Sequence, residues 1–161
     1  MTDLTLTING EDHNIDVDPS RSLAKVLRYD LGLTGTQQAC STGVCGACTV
    51  LIDGEARKSC MHMVGMVEDA DIETIEGLAE RDELHPVQEA FVEEFSLQCG
   101  FCTPGFVMSA KALLDDNPQP NEDEIQEAIH GNICRCTGYK SIIEGIKTAS
   151  DKITDQEVSG D

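Results

Sequence analysis

Eight of the 161 residues are cysteines, and their spacing divides them into two sets of four. The first set has the spacing C-x4-C-x2-C-x11-C and consists of Cys40, Cys45, Cys48 and Cys60. The second set is a C-x2-C pair and a C-x-C pair separated by 31 residues, and consists of Cys99, Cys102, Cys134 and Cys136. The N-terminal residues lack the basic stretch and apolar run of a secretory signal. We therefore expect a reducing cytoplasmic setting, in which thiols serve metal or redox chemistry.

The spacing of the first set is the plant-type pattern of a [2Fe–2S] cluster. Three thiolates come from one tight loop and the fourth from a neighbouring segment, so that four ligands converge on a compact core. Gly43 and Gly46 let this loop turn, and its backbone N–H groups can then point at the sulfurs and stabilise a negatively charged cluster. These residues predict an iron–sulfur site.

The spacing of the second set fits either an iron–sulfur cluster or a zinc site with four cysteine ligands, and spacing alone leaves both open. The intervening 31 residues hold two predicted helices, so the two pairs meet only where helix ends come together. Cys102 stands just before a helix opened by Pro104, where the positive end of the helix dipole favours a negatively charged group.

Other interpretations of these residues are weaker. The pairs Cys45–Cys48 and Cys99–Cys102 have the C-x-x-C form of a thioredoxin-like dithiol, but neither stands alone on a strand-to-helix turn. Cys60 and His62 form C-x-H, half of what a Rieske centre offers, and no second pair completes it. All four histidines are expected to be structural, namely His13, His62, His85 and His130. Met61, Met63 and Met66 are expected to be packing residues.

Acidic residues dominate the charge, with 30 Asp and Glu against 11 Lys and Arg and a formal net charge of −19. Such a field repels nucleic acid and anionic lipid, so neither is expected as a partner. No apolar run approaches the roughly 20 residues that a membrane-spanning helix needs. An acid excess of this size also suits high salt, where screening removes most of the repulsion, and it supports the hypothesis of a halophilic source.

The N-terminal part has the patterns of a sheet and the C-terminal part those of helices. Alternating apolar residues on both sides of Asn9-Gly10 predict a hairpin, a helical pattern follows Ser22, and a further strand covers residues 49–52. Four helical runs follow, and the first places Phe91 and Phe95 on one apolar face. Capping signals mark the second and third helical runs: Pro104 opens the second, and an Asn121-Glu124 capping box opens the third. The fourth run holds Ile142, Ile143 and Ile146.

The stretch Glu80–Glu83 has no apolar pattern and predicts a domain boundary. We expect residues 1–78 to form one domain and residues 79–161 a second, helical one, with a frayed polar tail from about residue 151. The fold class is therefore α+β.

With both cysteine sets in view, the chain resembles the small iron–sulfur subunit of the molybdenum hydroxylase family, which includes xanthine dehydrogenases, aldehyde oxidoreductases and aerobic carbon monoxide dehydrogenases. The resemblance runs from about Leu4 to Ala149. Its motifs are CSTGVCGACTV at 40–50, SC at 59–60, TIEGL at 74–78, QCGFCTPG at 98–105 and GNICRCTGY at 131–139. The chain departs from the family at Ala39, where Gly is usual, and at Gln37-Gln38, where a charge is common; these bear on the backbone there and not on the ligands.

The resemblance implies a β-grasp, plant-type ferredoxin-like domain followed by a four-helix domain. Each domain would hold one [2Fe–2S] cluster, which resolves the second set in favour of iron–sulfur. It also implies that the helical-domain cluster lies beside the molybdopterin of a large partner subunit, where Gln98 and Cys136 touch the pterin. The plant-type cluster would face the FAD of a medium subunit.

The function implied by the resemblance is electron transfer within an oxidoreductase. Single electrons would pass from the molybdenum cofactor through the Cys99 cluster and the Cys40 cluster to FAD. The chain alone is expected to hold no catalytic residue and to turn over no substrate. The substrate would be selected by the large subunit, and purines, aldehydes, carbon monoxide and N-heterocycles all remain open. Two other hypotheses are a free soluble two-cluster ferredoxin, in which Gln98 would have no pterin to contact, and a zinc-stabilised binding module.

Overall fold

The computed structural model describes residues 1–79 and 83–159. Its strands are β1 (Thr2–Ile8), β2 (Glu11–Val17), β3 (Thr49–Ile52), β4 (Glu55–Lys58) and β5 (Asp71–Glu73). In this part of the chain they form one five-stranded sheet in the order β2-β1-β5-β3-β4. The β1–β5 pair is parallel and the other neighbours are antiparallel, so the sheet is mixed.

The predicted hairpin is confirmed. Ile8 pairs with Glu11, and the two turn residues Asn9 and Gly10 have φ values of 53° and 78°. Asparagine and glycine tolerate this left-handed conformation, which matches the twist of the flanking strands. The hairpin is also tied to the rest of the sheet domain, because the Asn9 side chain accepts a hydrogen bond from the Thr74 N–H at 2.8 Å.

One short helical segment crosses the sheet. The α-helix α1 (Leu23–Lys25) continues as a π-turn over Val26–Asp30, and its apolar side chains are buried against the strands. Arg28, on the other side of this segment, donates hydrogen bonds to the carbonyls of Thr34 and Thr36, the latter at 2.8 Å. The helical segment thereby holds the chain that leads into the first cysteine loop.

The C-terminal domain contains α2 (Pro86–Glu93), α3 (Thr103–Asp116), α4 (Glu122–Ile129) and α5 (Lys140–Ser159). The predicted Asn121-Glu124 capping box is present at the start of α4. A second box caps α2, where the His85 ring accepts from the Val87 N–H and the Gln88 side chain accepts from the His85 N–H. The expectation that His85 is structural is confirmed. Together with the mixed sheet, the helices confirm the α+β fold class.

Two details of the predicted helices are wrong. The sequence places Phe95 on the apolar face of a helix, but α2 ends at Glu93 and the Phe95 side chain is 81% exposed. The cause is a helix stop, since the N–H of Ser96 bonds to the Phe91 carbonyl and that of Phe95 to the Val92 carbonyl. The predicted frayed tail is helical as far as Ser159, because half-buried Ile153 continues the apolar face of α5. The predicted domain boundary depends on the stretch Glu80–Glu83, and residues 80–82 lie outside the residues that the structure describes.

The two domains pack through β3 and α3. Leu51 of β3 is buried in the same cluster as Phe106 and Val107 of α3, so the helical core extends onto the sheet. Gly105 permits the closest approach, because a Cβ atom there would lie 2.2 Å from the carbonyl oxygen of Gly46. The first turn of α3 therefore rests directly on the loop of the first cysteine set. In the described residues no helix is both long and apolar enough to cross a membrane.

Candidate metal centres

Cys40 begins the first cysteine loop and accepts two hydrogen bonds from it. The N–H groups of Thr42 and Cys45 both donate to its sulfur at 3.4 Å. The loop closes in this way because Ser41, Gly43 and Gly46 have left-handed φ values of 55°, 76° and 70°. The two backbone donors, that of Thr42 first, lower the pKa of the Cys40 thiol to about 6. The loop therefore stabilises a thiolate at this position.

Cys60 is brought to this loop by the turn that follows β4. The Ser59 hydroxyl donates to the Cys48 carbonyl at 2.7 Å, and the Ser59 N–H donates to the same oxygen at 3.2 Å. Burial, followed by the neighbouring Cys48 thiol, raises the pKa of Cys60 to about 11, and the charge of Cys40 acts in the same direction. The side chains of Cys40, Cys48 and Cys60 thus interact, and the Cys45 backbone binds the Cys40 sulfur.

The methionines near this loop, predicted from sequence to be packing residues, are not buried. The side chains of Met61, Met63 and Met66 are 62%, 51% and 75% exposed. Met61 lies over the loop, because a Cβ atom on Gly43 would come within 2.8 Å of its sulfur. Val44, in the loop itself, is also exposed. The first cysteine set therefore lies beneath an apolar surface that faces solvent.

The two pairs of the second set meet between helix ends, as their spacing predicts. Cys102 is the residue before α3, and its pKa is raised to about 12, by burial first and by the thiol of Cys134 second. Cys99 and Cys136 are both exposed, and their sulfurs lie 3.7 Å apart. All four side chains of the set interact, since the charges of Cys99 and Cys134 also act on the other two.

Thr137 and Tyr139 hold the second loop around Cys134, a role that the sequence pattern did not indicate for either residue. Burial acts to raise the pKa of Cys134, but hydrogen bonds to its sulfur together outweigh burial and lower it. The hydroxyl and N–H of Thr137 contribute most of this, at 3.1 and 3.4 Å, and the Cys136 N–H and the Cys102 thiol add to it. The Tyr139 hydroxyl accepts from the Cys134 N–H at 3.1 Å. The Tyr139 ring is fixed edge-on against Phe106 of α3, with centroids 6.1 Å apart.

The donor groups around both sets fit a sulfur-ligated cluster. Each set has one thiol whose pKa is lowered by protein donors, Cys40 in the first and Cys134 in the second. Hydrogen bonds to sulfur are what a protein supplies to a negatively charged iron–sulfur group. Within residues 1–79 and 83–159, no three His, Cys, Asp or Glu side chains converge on a position for a single metal ion.

The loops of the two sets are joined directly. The Ile133 N–H donates to the Cys45 carbonyl at 2.9 Å. Next to this bond, the buried Asn132 side chain donates to the Gly46 carbonyl at 3.1 Å and accepts from the Ser109 hydroxyl at 3.0 Å. In the sequence, Asn132 stood in a motif without a role of its own. The structure shows it as a buried polar contact between the domains, beside the hydrogen bond of Ile133.

Comparison with known proteins decides the family. The model of a 2Fe-2S iron-sulfur cluster binding domain matches residues 6–79, and that of a [2Fe-2S] binding domain matches residues 74–147. The nicotinate dehydrogenase small FeS subunit of Eubacterium barkeri is 42% identical over 92% of this chain and 95% of that subunit. The chain belongs to the small iron–sulfur subunits of the molybdenum hydroxylase family.

Two further similarities agree with this assignment. The nicotine 6-hydroxylase small subunit of Paenarthrobacter nicotinovorans is 45% identical over 94% of this chain and 91% of its own length. The crystal structure of quinoline 2-oxidoreductase from Pseudomonas putida 86 superposes with a TM-score of 0.92 at 42% identity, covering 97% of this chain and 98% of the matched chain. The aldehyde oxidoreductase of Desulfovibrio gigas superposes equally well, with a TM-score of 0.92 at 42% identity and 97% of this chain covered, but the match spans only 18% of that longer chain.

As an iron–sulfur subunit of this family, the chain is part of an oxidoreductase. Gln98, the residue predicted to contact a pterin, is exposed and directly precedes the exposed Cys99. Cys136, the other predicted contact, is exposed beside Cys99. The pterin contacts of both residues stay predictions, as does the assignment of the eight cysteines as ligands.

Proposed function

We propose that this subunit holds a [2Fe–2S] cluster on each cysteine set and relays single electrons from a molybdenum cofactor on one partner subunit to FAD on another. Cys40, Cys45, Cys48 and Cys60 would bind the first cluster, and Cys99, Cys102, Cys134 and Cys136 the second. When bound, each cluster accepts and releases one electron at a time. The chain holds the two sites in fixed relation and adjusts the hydrogen bonding and burial of their sulfurs.

The observation that carries this proposal is the hydrogen bond from the Ile133 N–H to the Cys45 carbonyl, at 2.9 Å. Cys45 is a proposed ligand of the first cluster, and Ile133 directly precedes Cys134, a proposed ligand of the second. One hydrogen bond and a few covalent bonds therefore connect the two sites. Such a connection is expected between two redox centres that work in series, whereas two independent structural sites do not need it.

The exposure of the thiols supports the proposed placement of the two partner subunits. The Cys99–Cys136 pair is exposed and stands beside exposed Gln98, as a site that meets a cofactor on another subunit requires. The first set lies beneath the surface formed by Val44 and Met61, which would face the FAD subunit. We assign the sheet site to a domain of residues 1–78 and the helical site to a domain of residues 79–161.

The relatives do not narrow the substrate to one compound. Their names refer to nicotinate, nicotine and quinoline, which are N-heterocycles, and to aldehydes. Because this chain offers no substrate site in the proposed relay, the choice between these classes lies with the molybdenum subunit.

The test is anaerobic purification of the tagged chain from its own host, followed by iron, sulfide and molybdenum analysis. We expect iron and acid-labile sulfide equal to two [2Fe–2S] clusters per chain, with molybdopterin and FAD polypeptides in the same fraction. A chain that carries this iron but elutes alone would support the free ferredoxin carrier instead. A colourless chain without sulfide would support the zinc site.

A reciprocal pair of variants tests the assignment of the ligands. Cys99→Ser should alter the electron paramagnetic resonance (EPR) signal of the helical-domain cluster and block reoxidation, while the plant-type signal remains. Cys40→Ser should alter the plant-type EPR signal, while the signal of the helical-domain cluster remains. If Cys99→Ser removes the plant-type signal and spares the other, the division of the ligands between the clusters is wrong.

A further inference from the structure

Phe95 combines an unfavourable backbone conformation with an exposed aromatic side chain. Its φ is 50°, in the left-handed region, and it occupies the position just past the end of α2 where helices that stop in this way usually have glycine. A bulky residue in that conformation is strained, because its Cβ crowds the backbone. The Phe95 side chain is also 81% exposed, so burial within this chain does not offset the strain.

The turn that presents Phe95 is fixed on both sides. Before it, α2 is capped and packed through Phe91, which is buried. After it, Ser96 is buried, and its hydroxyl donates to the Ser141 carbonyl of α5 at 2.6 Å. Gly145 of α5 lies so close that a Cβ atom there would be 2.4 Å from the Ser96 hydroxyl oxygen. The outward position of the Phe95 ring is therefore set by the fold.

Other exposed apolar side chains lie near this turn along the chain. Val92 and Leu97, which flank Phe95 in sequence, are 57% and 38% exposed and line one open groove of about 340 Å³. Gly100 lines the same groove, and Phe101, which follows it, is 44% exposed. We call Val92, Phe95, Leu97 and Phe101 the Phe95 surface. An apolar surface of this kind, built around a rigid aromatic residue, is typical of a protein interface.

Charge and position together identify the occupant of this surface, on the basis of the proposed function. A second copy of the chain would add another net charge of −19, and in dilute buffer, where these charges are not screened, mutual repulsion disfavours that pairing. The Phe95 surface continues along the chain into Gln98 and Cys99, at the exposed pair of sulfurs. A protein surface that brings a cofactor to those sulfurs must also cover the residues beside them.

We propose that Phe95 is an anchor for the molybdopterin-binding subunit, which buries the ring and thereby offsets the backbone strain that the isolated chain carries. The Phe95 surface is then the apolar part of an interface whose polar part is formed by Gln98 and the Cys99–Cys136 pair. The proposal has two consequences of opposite sign. Replacing Phe95 by glycine should stabilise the chain by itself and weaken its assembly.

The test compares Phe95→Gly with Phe95→Ala. Glycine removes both the ring and the strain, whereas alanine removes the ring and keeps the strain. For the isolated chain, Phe95→Gly should raise the melting temperature by about 3 °C, and Phe95→Ala should not raise it. For the complex, both variants should weaken retention of the molybdenum subunit by roughly tenfold or more, measured as molybdenum per iron after dilution and affinity purification. Phe95→Tyr keeps the ring and should retain the partner.

Met66→Ala is the matched control, since Met66 is 75% exposed but lies in the sheet domain; it should leave molybdenum retention unchanged. Equal molybdenum per iron in wild type, Phe95→Gly and Phe95→Ala would overturn the anchor while leaving the proposed function intact. Wild-type chain that retains no molybdenum subunit would overturn both. Sedimentation of the isolated chain as a dimer that Phe95→Gly dissolves would show that a second copy covers the surface, and would also overturn the anchor.

Discussion

The side-chain amide of Asn132 donates a hydrogen bond to the Gly46 carbonyl at 3.1 Å, joining residues 86 positions apart in the sequence. Gly46 lies between Cys45 and Cys48, and Asn132 lies two residues before Cys134. The amide is buried, and its oxygen accepts from the Ser109 hydroxyl of α3. This single side chain therefore contacts the loops of both cysteine sets and the helix between them.

Asn132→Ala should loosen the contact between the two loops while leaving each loop intact. It removes two hydrogen bonds, the one donated to Gly46 and the one accepted from Ser109, whose hydroxyl keeps the Gly105 carbonyl as an acceptor. The loss of both bonds should cost about 1–3 kcal/mol of unfolding free energy. Urea unfolding measures this loss, and EPR spectra of the fully reduced protein should show weaker interaction between clusters whose individual signals persist. Asn117→Ala is the control, because the Asn117 amide contacts an exposed Glu124 and spans no domain contact. An unchanged interaction between the clusters in Asn132→Ala would contradict this role.

The loop of the first cysteine set, the hairpin and the capping box of α4 were predictable because each depends on residues close together in sequence. The spacing of Cys40, Cys45 and Cys48 restricts one loop, and Asn9-Gly10 restricts one turn, whatever the rest of the chain does. The role of Asn132 was not predictable in this way. An asparagine in a loop has many partners available, and only the packing of α3 on β3 brings Gly46 to it.

Phe95 shows why a periodic pattern alone misplaces a helix end. Phe91 and Phe95 have the spacing of one helix face, so the pattern continues through Phe95. The helix nevertheless stops at Glu93, because the buried Ser96 is tied to Ser141 on α5, 45 positions away. A tertiary contact of this kind overrides local periodicity and leaves no mark within the window from which the helix is predicted.

Gly105→Ala should disrupt the domain contact, although alanine favours helices. The added Cβ would lie 2.2 Å from the Gly46 carbonyl oxygen, a backbone atom that cannot rotate away. Overpacking of this kind costs about 1–3 kcal/mol, which exceeds the gain of about 0.5–1 kcal/mol from alanine in a helix. Thermal unfolding should show the loss. Gly54→Ala is the control, because a Cβ atom there would meet no atom within 4 Å. This variant should lose stability only through the strain of its φ of 80°, and the contact between the cluster loops should not change.

Gln98→Ala should lower pterin retention without removing either cluster. The Gln98 side chain is exposed and supports no described element, so the fold and the iron content should stay at wild-type levels. Molybdenum and pterin per chain in the purified complex measure the effect. The variant Leu97→Ala, at the neighbouring exposed residue, is the comparison. It should weaken the interface in general and release the whole molybdenum subunit, whereas Gln98→Ala should remove only the pterin contact. Unchanged pterin content in Gln98→Ala would count against the contact.

Salt should raise the stability of this chain. The acidic residues exceed the basic ones by 19, and pairs such as Lys147 with Glu122 and Lys152 with Glu93 neutralise only a few of them. Screening by salt weakens these exposed ion pairs, but each pair contributes little to stability. Screening weakens the repulsion among the remaining carboxylates more. The melting temperature should rise between dilute buffer and about 1 M KCl, where the screening length falls to about 3 Å. Equal stability in both would remove the halophile hypothesis.

Glu73 should destabilise the folded chain at neutral pH. Burial at the end of β5 raises the pKa of its carboxyl; Lys111 of α3 opposes this, while Asp115 and Asp71 add to it. A carboxyl whose pKa is raised by folding binds its proton more tightly in the folded state, so stability falls as pH rises through its titration range. Glu73→Gln should therefore melt at a higher temperature than wild type at pH 7, and the difference should shrink as the pH falls toward the acid range, where both forms are neutral. Glu68→Gln removes the same charge from an exposed site and measures the general effect of reducing the acid excess. If both variants gain equally at every pH, the cause is net charge and not the burial of Glu73.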